Sequence, residues 1–240
     1  QSDKPIQVIH GLPCRYIPDE VGSCDHVEES VFPAETLGEH YFVTRPTGPT
    51  GQPAQHIVRL VGNVNGTTLT YGGAPPPGAP LTLNAGQVVD LGQVFVDFEV
   101  TGDHEFAVAT FQVGSQALGG ALQGDPAQSQ STGVEQYRTK YVFLAPSDYD
   151  VNFVDIVMPA TAQVTLDGAP LTAVATPISS NYGVARAQLG VANNGAHLLE
   201  STEPVGIQVV GYGTATSYQY PGGLNLDVIA PPPPPPPPPN

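Results

Sequence analysis

The chain has 240 residues and a formal net charge of −15, from 7 Lys plus Arg against 22 Asp plus Glu. That charge repels a phosphate backbone and argues against nucleic acid or an anionic membrane surface as a partner. Apolar residues make up 40% of the chain, too many for wholesale disorder and enough to bury a core, while no apolar run reaches the roughly 18–20 residues of a membrane-spanning helix.

Residues 1–26 read as an arm. Gln1 is followed at once by polar residues, as in a mature secreted chain after processing. IQVIHG, from Ile6, reads as a strand. Cys14 and Cys24 bracket CRYIPDEVGSC, a spacing too wide for a CxxC motif, and two thiols cannot complete a four-ligand zinc site. Pro18, Asp19 and Gly22 favour a chain that turns back. The two cysteines are therefore expected to form a disulfide that staples the arm and places the protein in an oxidising compartment.

From Val27 onward no window carries apolar residues at helical spacing. Short apolar or alternating runs follow one another instead: HYFVTRP, HIVRLVG, TTLTYGG, LTLNAG, QVVDLG, VFVDFEVTG and FAVATFQVG. Then come KYVFLAP, NFVDIVMP, QVTLDG, VARAQLG, HLLEST and VGIQVVGYG. Gly, Pro or Asn closes most of them, and turns recur every ~8–12 residues, the rhythm of a sandwich or barrel. The lack of helical crossovers excludes parallel βαβ units.

The chain repeats itself. VEESVFPAETLGEHYFVTRP starts at Val27 and VEQYRTKYVFLAP at Val134; both run from Val-Glu through a polar stretch into Tyr, an apolar run and Pro. With Tyr41 set against Tyr141, HIVRLV answers NFVDIV. TTLTYGGAPPPGAPLTL answers AQVTLDGAPLTAV, and VTGDHEFAVATFQVG answers LESTEPVGIQVVGYG. The expected fold is all-β: two tandem β-sandwich domains, Greek-key or jelly-roll-like, at 27–120 and 134–229. A polar, small-residue linker at 121–133 joins them. Residues 230–240 form a tail of nine prolines that adopts polyproline II and spans about 28 Å. The tail reads either as a stiff spacer or as a ligand for an aromatic groove. Tyr218 and Tyr220 alternate, share a strand face, and are expected to pack on the domain junction or on prolines such as Pro231, Pro235 and Pro239.

These motifs resemble the bacterial branch of the IgGFc-binding protein N-terminal family. The residues that carry the resemblance are SCDHVEESVFPAETLGEHYFVTRP, LTLNAGQVVDL and VTGDHEFAVATFQVG in the first half. In the second they are GDPAQSQSTGVEQYRTKYVFLAPSDYDVNFVDIV, VTLDG and YQYPGGL. The match covers about residues 23–227 and rests on a pattern of weak motifs. It implies a secreted or cell-surface β-rich protein of adhesive or matrix character, without a known catalytic centre. The proline tail lies outside it.

Chemistry-bearing constellations are sparse. Nucleophilic catalysis needs Ser or Cys beside a His oriented by a carboxylate. None of His10, His26, His40, His56, His104 and His197 sits near a GxSxG elbow, and no such elbow exists. Asp148, Asp150, Asn152 and Asp155 in SDYDVNFVD alternate as oxygen ligands and form a candidate calcium site. Against it, Phe153 stands where the EF-hand pattern needs Gly and Pro159 where it needs Glu; the plainer reading puts Asp150 and Asp155 on the solvent face of a strand. No other cofactor is indicated. Asn65-Gly66-Thr67 fits the N-glycosylation pattern, a weak signal alone.

The reading that follows is a secreted or cell-surface structural or adhesive protein, not an enzyme, whose terminal extensions join copies head-to-tail into a filament or matrix. The alternative is a monomeric glycan- or protein-binding module tethered by the proline spacer. A hydrolase comes third.

Overall fold

The computed structural model describes residues 4, 6–22, 24–73, 75–119, 123–190 and 195–230. Among them there is no α-helix, and strands joined by short turns make up the fold. The proline positions Pro231, Pro235 and Pro239 lie outside the described residues.

The N-terminal hairpin pairs β1 (Ile9–Arg15) with β2 (Asp25–Ser30). The Cys14–Cys24 disulfide closes the loop between the two strands. Ile17 and Val27 fasten the hairpin to the body, packing with Ile57, Phe111 and Val113.

The first half follows with β3 (His40–Val43), β4 (His56–Gly62), β5 (Thr67–Gly72), β6 (Thr82–Leu83) and β7 (Val88–Val94). It ends with β8 (Phe98–Gly102), β9 (Phe106–Gln112) and β10 (Ala127–Gln130). One sheet has the order β3-β8-β5-β6 and the other β10-β9-β4-β7. Period-2 alternation sends one face of each sheet inward. Tyr41, Val43, Leu69, Phe98 and Val100 come from the first sheet and meet Val58, Leu60, Val94, Phe106 and Val108 from the second. Burying each large apolar side chain contributes about 1.5–3 kcal/mol.

The second half comprises β11 (Arg138–Leu144), β12 (Val151–Pro159), β13 (Val164–Leu166) and β14 (Ala169–Pro170). Then come β15 (Thr176–Pro177), β16 (Tyr182–Leu189), β17 (Ala196–Gly213) and β18 (Thr216–Pro221). The leading part of β17 pairs with β11 and β13, and its trailing part pairs with β12 and β18. The pairing order is therefore β11-β17-β13-β14 and β18-β17-β12-β16-β15, which follows the order of the first half with β17 doing the work of both β8 and β9 and with β15 added at the edge. Tyr141, Phe143, Val164 and Leu199 face Val154, Ile156, Ala185 and Val209 in a second core.

Three sequence expectations need correction. Residues 127–130, inside the expected linker, form β10, which pairs with β9 and is mostly buried. Its polar side chains hydrogen-bond to partners from elsewhere in the chain, so a polar strand can be buried there. STEP, expected to turn between two strands, runs on inside the 18-residue β17. Val27-Glu28 is not the counterpart of Val134-Glu135. The 3-10 turn Val134–Gln136 matches the 3-10 turn Ala34–Thr36, whereas Val27 sits in β2 opposite Leu12.

The true register shows in the tyrosines. The Tyr41 hydroxyl accepts the Gly38 N–H at 2.8 Å and donates to the Phe106 carbonyl at 2.6 Å. The Tyr141 hydroxyl accepts the Arg138 N–H at 3.0 Å and donates to the Val205 carbonyl. Each phenol ties the entry of one half to the strand pair across its core.

Candidate functional site: the polar junction and the exposed arm

The two halves meet through buried polar groups. Arg186 on β16 donates from one nitrogen to both oxygens of Asp97, at 3.0 and 3.1 Å, and to the Arg45 carbonyl at 3.1 Å. Asp97 also accepts the Arg45 N–H at 2.7 Å. Asp155, paired opposite Arg186 across β12 and β16, is 1% exposed and accepts the Thr47 N–H at 2.8 Å and the Thr47 hydroxyl. Burial pushes the Asp155 carboxyl up to about 6, against the opposing pull of Arg186 and the Thr47 bonds. His56 is fully buried, and neither ring nitrogen has a hydrogen-bond partner among the described residues. Desolvation drives it down to about 3, so the ring is neutral at physiological pH.

Further contacts surround this core. Phe42 stacks on Tyr182 with ring centroids 4.5 Å apart. Gln208 donates to Ser129 at 2.7 Å and Gln219 to Thr110 at 3.0 Å. Glu135 reaches back to the edge of β3, where one carboxylate oxygen accepts the Glu39 and His40 N–H groups at 3.1 and 3.0 Å. A cavity of about 30 Å³ lies among Thr110, Thr132, Asp155, Gln208 and Gln219, room for a water molecule. The chain's last described segment closes the junction: Asn225 donates to the Gln136 carbonyl, and Ile229 and Ala230 donate to the Glu35 carbonyl.

The expected calcium ligands do not come together. The Asp155 side chain is taken by Thr47, and Asn152 by the Pro146 carbonyl and the Tyr218 hydroxyl. Asp148 and Asp150 are exposed on the preceding turn. Among the described residues no three His, Cys, Asp or Glu side chains cluster closely enough to hold a metal ion. Asp155 on a solvent face, the plainer expectation, is also corrected: its partner lies in the other half, beyond the reach of local pattern.

Tyr218 and Tyr220 share a face, with ring centroids 6.0 Å apart, and pack against the second core. Tyr149 meets Tyr218 edge-on at 4.8 Å. The Tyr220 hydroxyl bonds both polar backbone atoms of Leu144. The Tyr218 carbonyl accepts Gln112 at 3.2 Å, a contact with the first half.

One His-carboxylate pair resembles catalytic furniture. His197, 3% exposed, holds Asp167 at 2.7 Å and stacks on Phe143. Burial raises the Asp167 carboxyl, but bonds from the Leu198 N–H and His197 outweigh it and hold it below the usual range. No hydroxyl or thiol bonds the second nitrogen of His197 among the described residues. The pair pins the Asp167-Gly168 turn onto β17.

A run of exposed apolar residues lies on the arm. Ile6, Val8, Ile9, Leu12 and Tyr16 are all exposed, Ile6 to 67% and Ile9 to 59%. β1 pairs with β2 alone among the described strands. Beside the arm runs a groove of about 220 Å³, floored by Ile57 and Phe111 and rimmed by Arg15, Asp19, Arg59 and Asp90. Arg59 lies over the Phe111 ring at 4.8 Å and pairs with Asp90 at 2.8 Å. The sequence showed the apolar residues of this arm but not that the fold leaves them uncovered.

Comparison with known proteins places these features in context. The sequence profile of the family described as IgGFc binding protein matches residues 1–211. The human IgGFc-binding protein is 26% identical over 235 residues, a stretch that covers 96% of this chain and 4% of the human protein. This chain thus spans a small fraction of that relative's length. Among solved structures, an anti-sigma factor domain-containing protein aligns over 88% of this chain and 90% of its own, with a TM-score of 0.21 and 8% identity.

Proposed function

The chain belongs to the IgGFc-binding protein family, and from that premise we propose that it is a secreted or cell-surface structural or adhesive protein acting through its surfaces. Placement in the bacterial branch belongs to the same proposal. In this reading the body is two tandem β-sandwiches that diverged from a duplicated unit. The shared pairing order, the paired tyrosine anchors and the two cores support it. The protein works without a cofactor and without making or breaking bonds. Antibody binding, for which the human relative is named, is not carried over, because this chain matches 4% of that protein.

Within that class the chain self-associates head-to-tail through its arm. The single observation that carries this reading is the outer edge of β1, which pairs with β2 alone among the described strands and carries exposed Ile9 and Leu12. Exposed strand edges of this kind pair with other chains unless something blocks them. Sedimentation of the full chain tests it. The native protein should form concentration-dependent oligomers, and Ile9→Glu with Leu12→Glu should weaken assembly at least tenfold. A native protein that stays monomeric at every concentration overturns self-association. It would leave the second reading, a monomeric protein- or glycan-binding module, which the groove between the arm and Phe111 favours.

A further inference from the structure

The two halves carry equivalent strand edges, each met by the segment that follows its last paired strand, but among the described residues only the first edge receives a carboxylate. On the edge of β3, the Glu135 carboxylate takes the N–H groups of Glu39 and His40. Beside it, His40 bonds Glu99 at 2.8 Å, and the Tyr41 hydroxyl bridges Gly38 and Phe106. The same furniture recurs on β11. Lys140 bonds Glu200 at 2.9 Å, and the Tyr141 hydroxyl bridges Arg138 and Val205.

The backbone of β11 is oriented as that of β3 is. Tyr220 bonds both polar backbone atoms of Leu144, which therefore point away from β17. Backbone groups of alternate residues point the same way along a strand, so the Lys140 N–H lies on the outer edge, as the His40 N–H does. Against that edge the structure holds a notch of about 270 Å³, lined by Tyr137, Arg138, Thr139, Lys140, Pro204 and Asn225. Arg138, Thr139 and Lys140 are exposed.

One substitution between the halves sets what the notch accepts. At Gly38 a Cβ would come within 2.5 Å of the Glu135 carboxylate and 3.0 Å of the Gly133 Cα. The β3 edge is thus cut for a glycine-containing turn lying flat against it. The second half has Arg138 there. The Gly222-Gly223 turn lies against Arg138 and Tyr141, and Arg138 brings a guanidinium that matches a carboxylate. Two of the chain's 7 Lys and Arg stand within three residues of each other on a molecule of net charge −15.

We propose that the Tyr137–Lys140 notch docks an acidic peptide segment of a partner protein, one Glu or Asp carboxylate of which binds the Lys140 edge N–H and the Arg138 guanidinium. The proposal rests on reading the chain as a surface-acting binding protein and names the partner chemistry for one face of it.

The test is titration of the ¹⁵N-labelled full chain with hexaglutamate at low ionic strength, where exposed charges are least screened. The Thr139 and Lys140 amide signals should shift saturably. Hexalysine should leave them in place. In Arg138→Ala with Lys140→Ala the apparent affinity should fall at least tenfold while signals from both cores stay put, which shows that the variant is folded. Unmoved Thr139 and Lys140 amides, or shifts that survive the double substitution, overturn the site. Shifts that grow with protein concentration and no peptide would make the occupant a second copy and overturn the partner assignment. Failure here leaves arm-driven oligomers untouched in sedimentation, so the two readings fail separately.

Discussion

Arg186 and Asp97 belong to different halves of the chain, yet one guanidinium nitrogen of the former touches both carboxylate oxygens of the latter. Both side chains are nearly buried, at 11% and 9% exposure. A pair in that position gains little over a well-packed apolar pair, but breaking it leaves an uncompensated charge. Asp97→Ala should therefore cost about 3–5 kcal/mol, measured by urea unfolding. Asp97→Leu combined with Arg186→Met should recover a large part of that loss. Equal loss in the single and double variants would show that the pair does not clamp the halves.

Acid acts on this junction in two opposed ways. The Asp155 carboxyl is raised to about 6, so the folded state holds its proton more tightly than the unfolded chain does. Its ionised form costs stability above that pH, and the cost is relieved as pH falls through 6 toward the ordinary carboxylate value. Asp155→Asn should remove this term: relative to the variant, the native protein gains up to about 3 kcal/mol between pH 7 and pH 4. His56, lowered to about 3, does the reverse. Below the unfolded value near 6.5 it penalises folding by about 1.4 kcal/mol per pH unit. His56→Phe should flatten that loss, leaving a variant relatively more stable at pH 5 than at pH 8. Chemical denaturation across pH 4–8 reads both slopes.

The paired tyrosines test the duplication. Tyr41→Phe strands a buried N–H and carbonyl in the first half, and Tyr141→Phe strands the buried Val205 carbonyl and a part-buried N–H in the second. Each should cost about 1–3 kcal/mol. If each phenol serves its own half, the double variant should lose the sum within about 0.5 kcal/mol. Strong non-additivity would show one cooperative core instead of two.

The disulfide closes a loop of sequence separation 10, for which chain entropy gives about 3 kcal/mol. Cys14→Ser with Cys24→Ser should release Ile17 from Phe111 and raise hydrogen exchange in the hairpin, while amides from β3 to β18 keep their protection. Loss of protection throughout would make the arm part of the folding core.

Much of this structure was legible in the residues. Runs such as HIVRLVG and NFVDIVMP became central strands because each alternates or fills a buried face between breakers. CRYIPDEVGSC announced its own cross-link. What local pattern could not show was partnership at long range. GDPAQSQST looked like a linker because Gln128 and Ser129 are polar, and their burial depends on His10 and Gln208, far away in sequence. Asp155 looked like a calcium ligand or a surface acid because Thr47, its real partner, is 108 residues distant. Val27-Glu28 mimicked Val134-Glu135 by composition, while the working counterpart, Ala34-Glu35, shares only the glutamate. Setting Tyr41 against Tyr141 already placed Arg138 opposite Gly38, but the notch beside it also needs Pro204 and Asn225, which only the fold brings there.

β17 runs unbroken for 18 residues through both sheets of the second half, whereas the first half divides the same task between β8 and β9 at the Gly102–Phe106 corner. A load carried along the molecule would thus meet a continuous spar in one half and a jointed one in the other. The jointed half is where the body should yield first under tension.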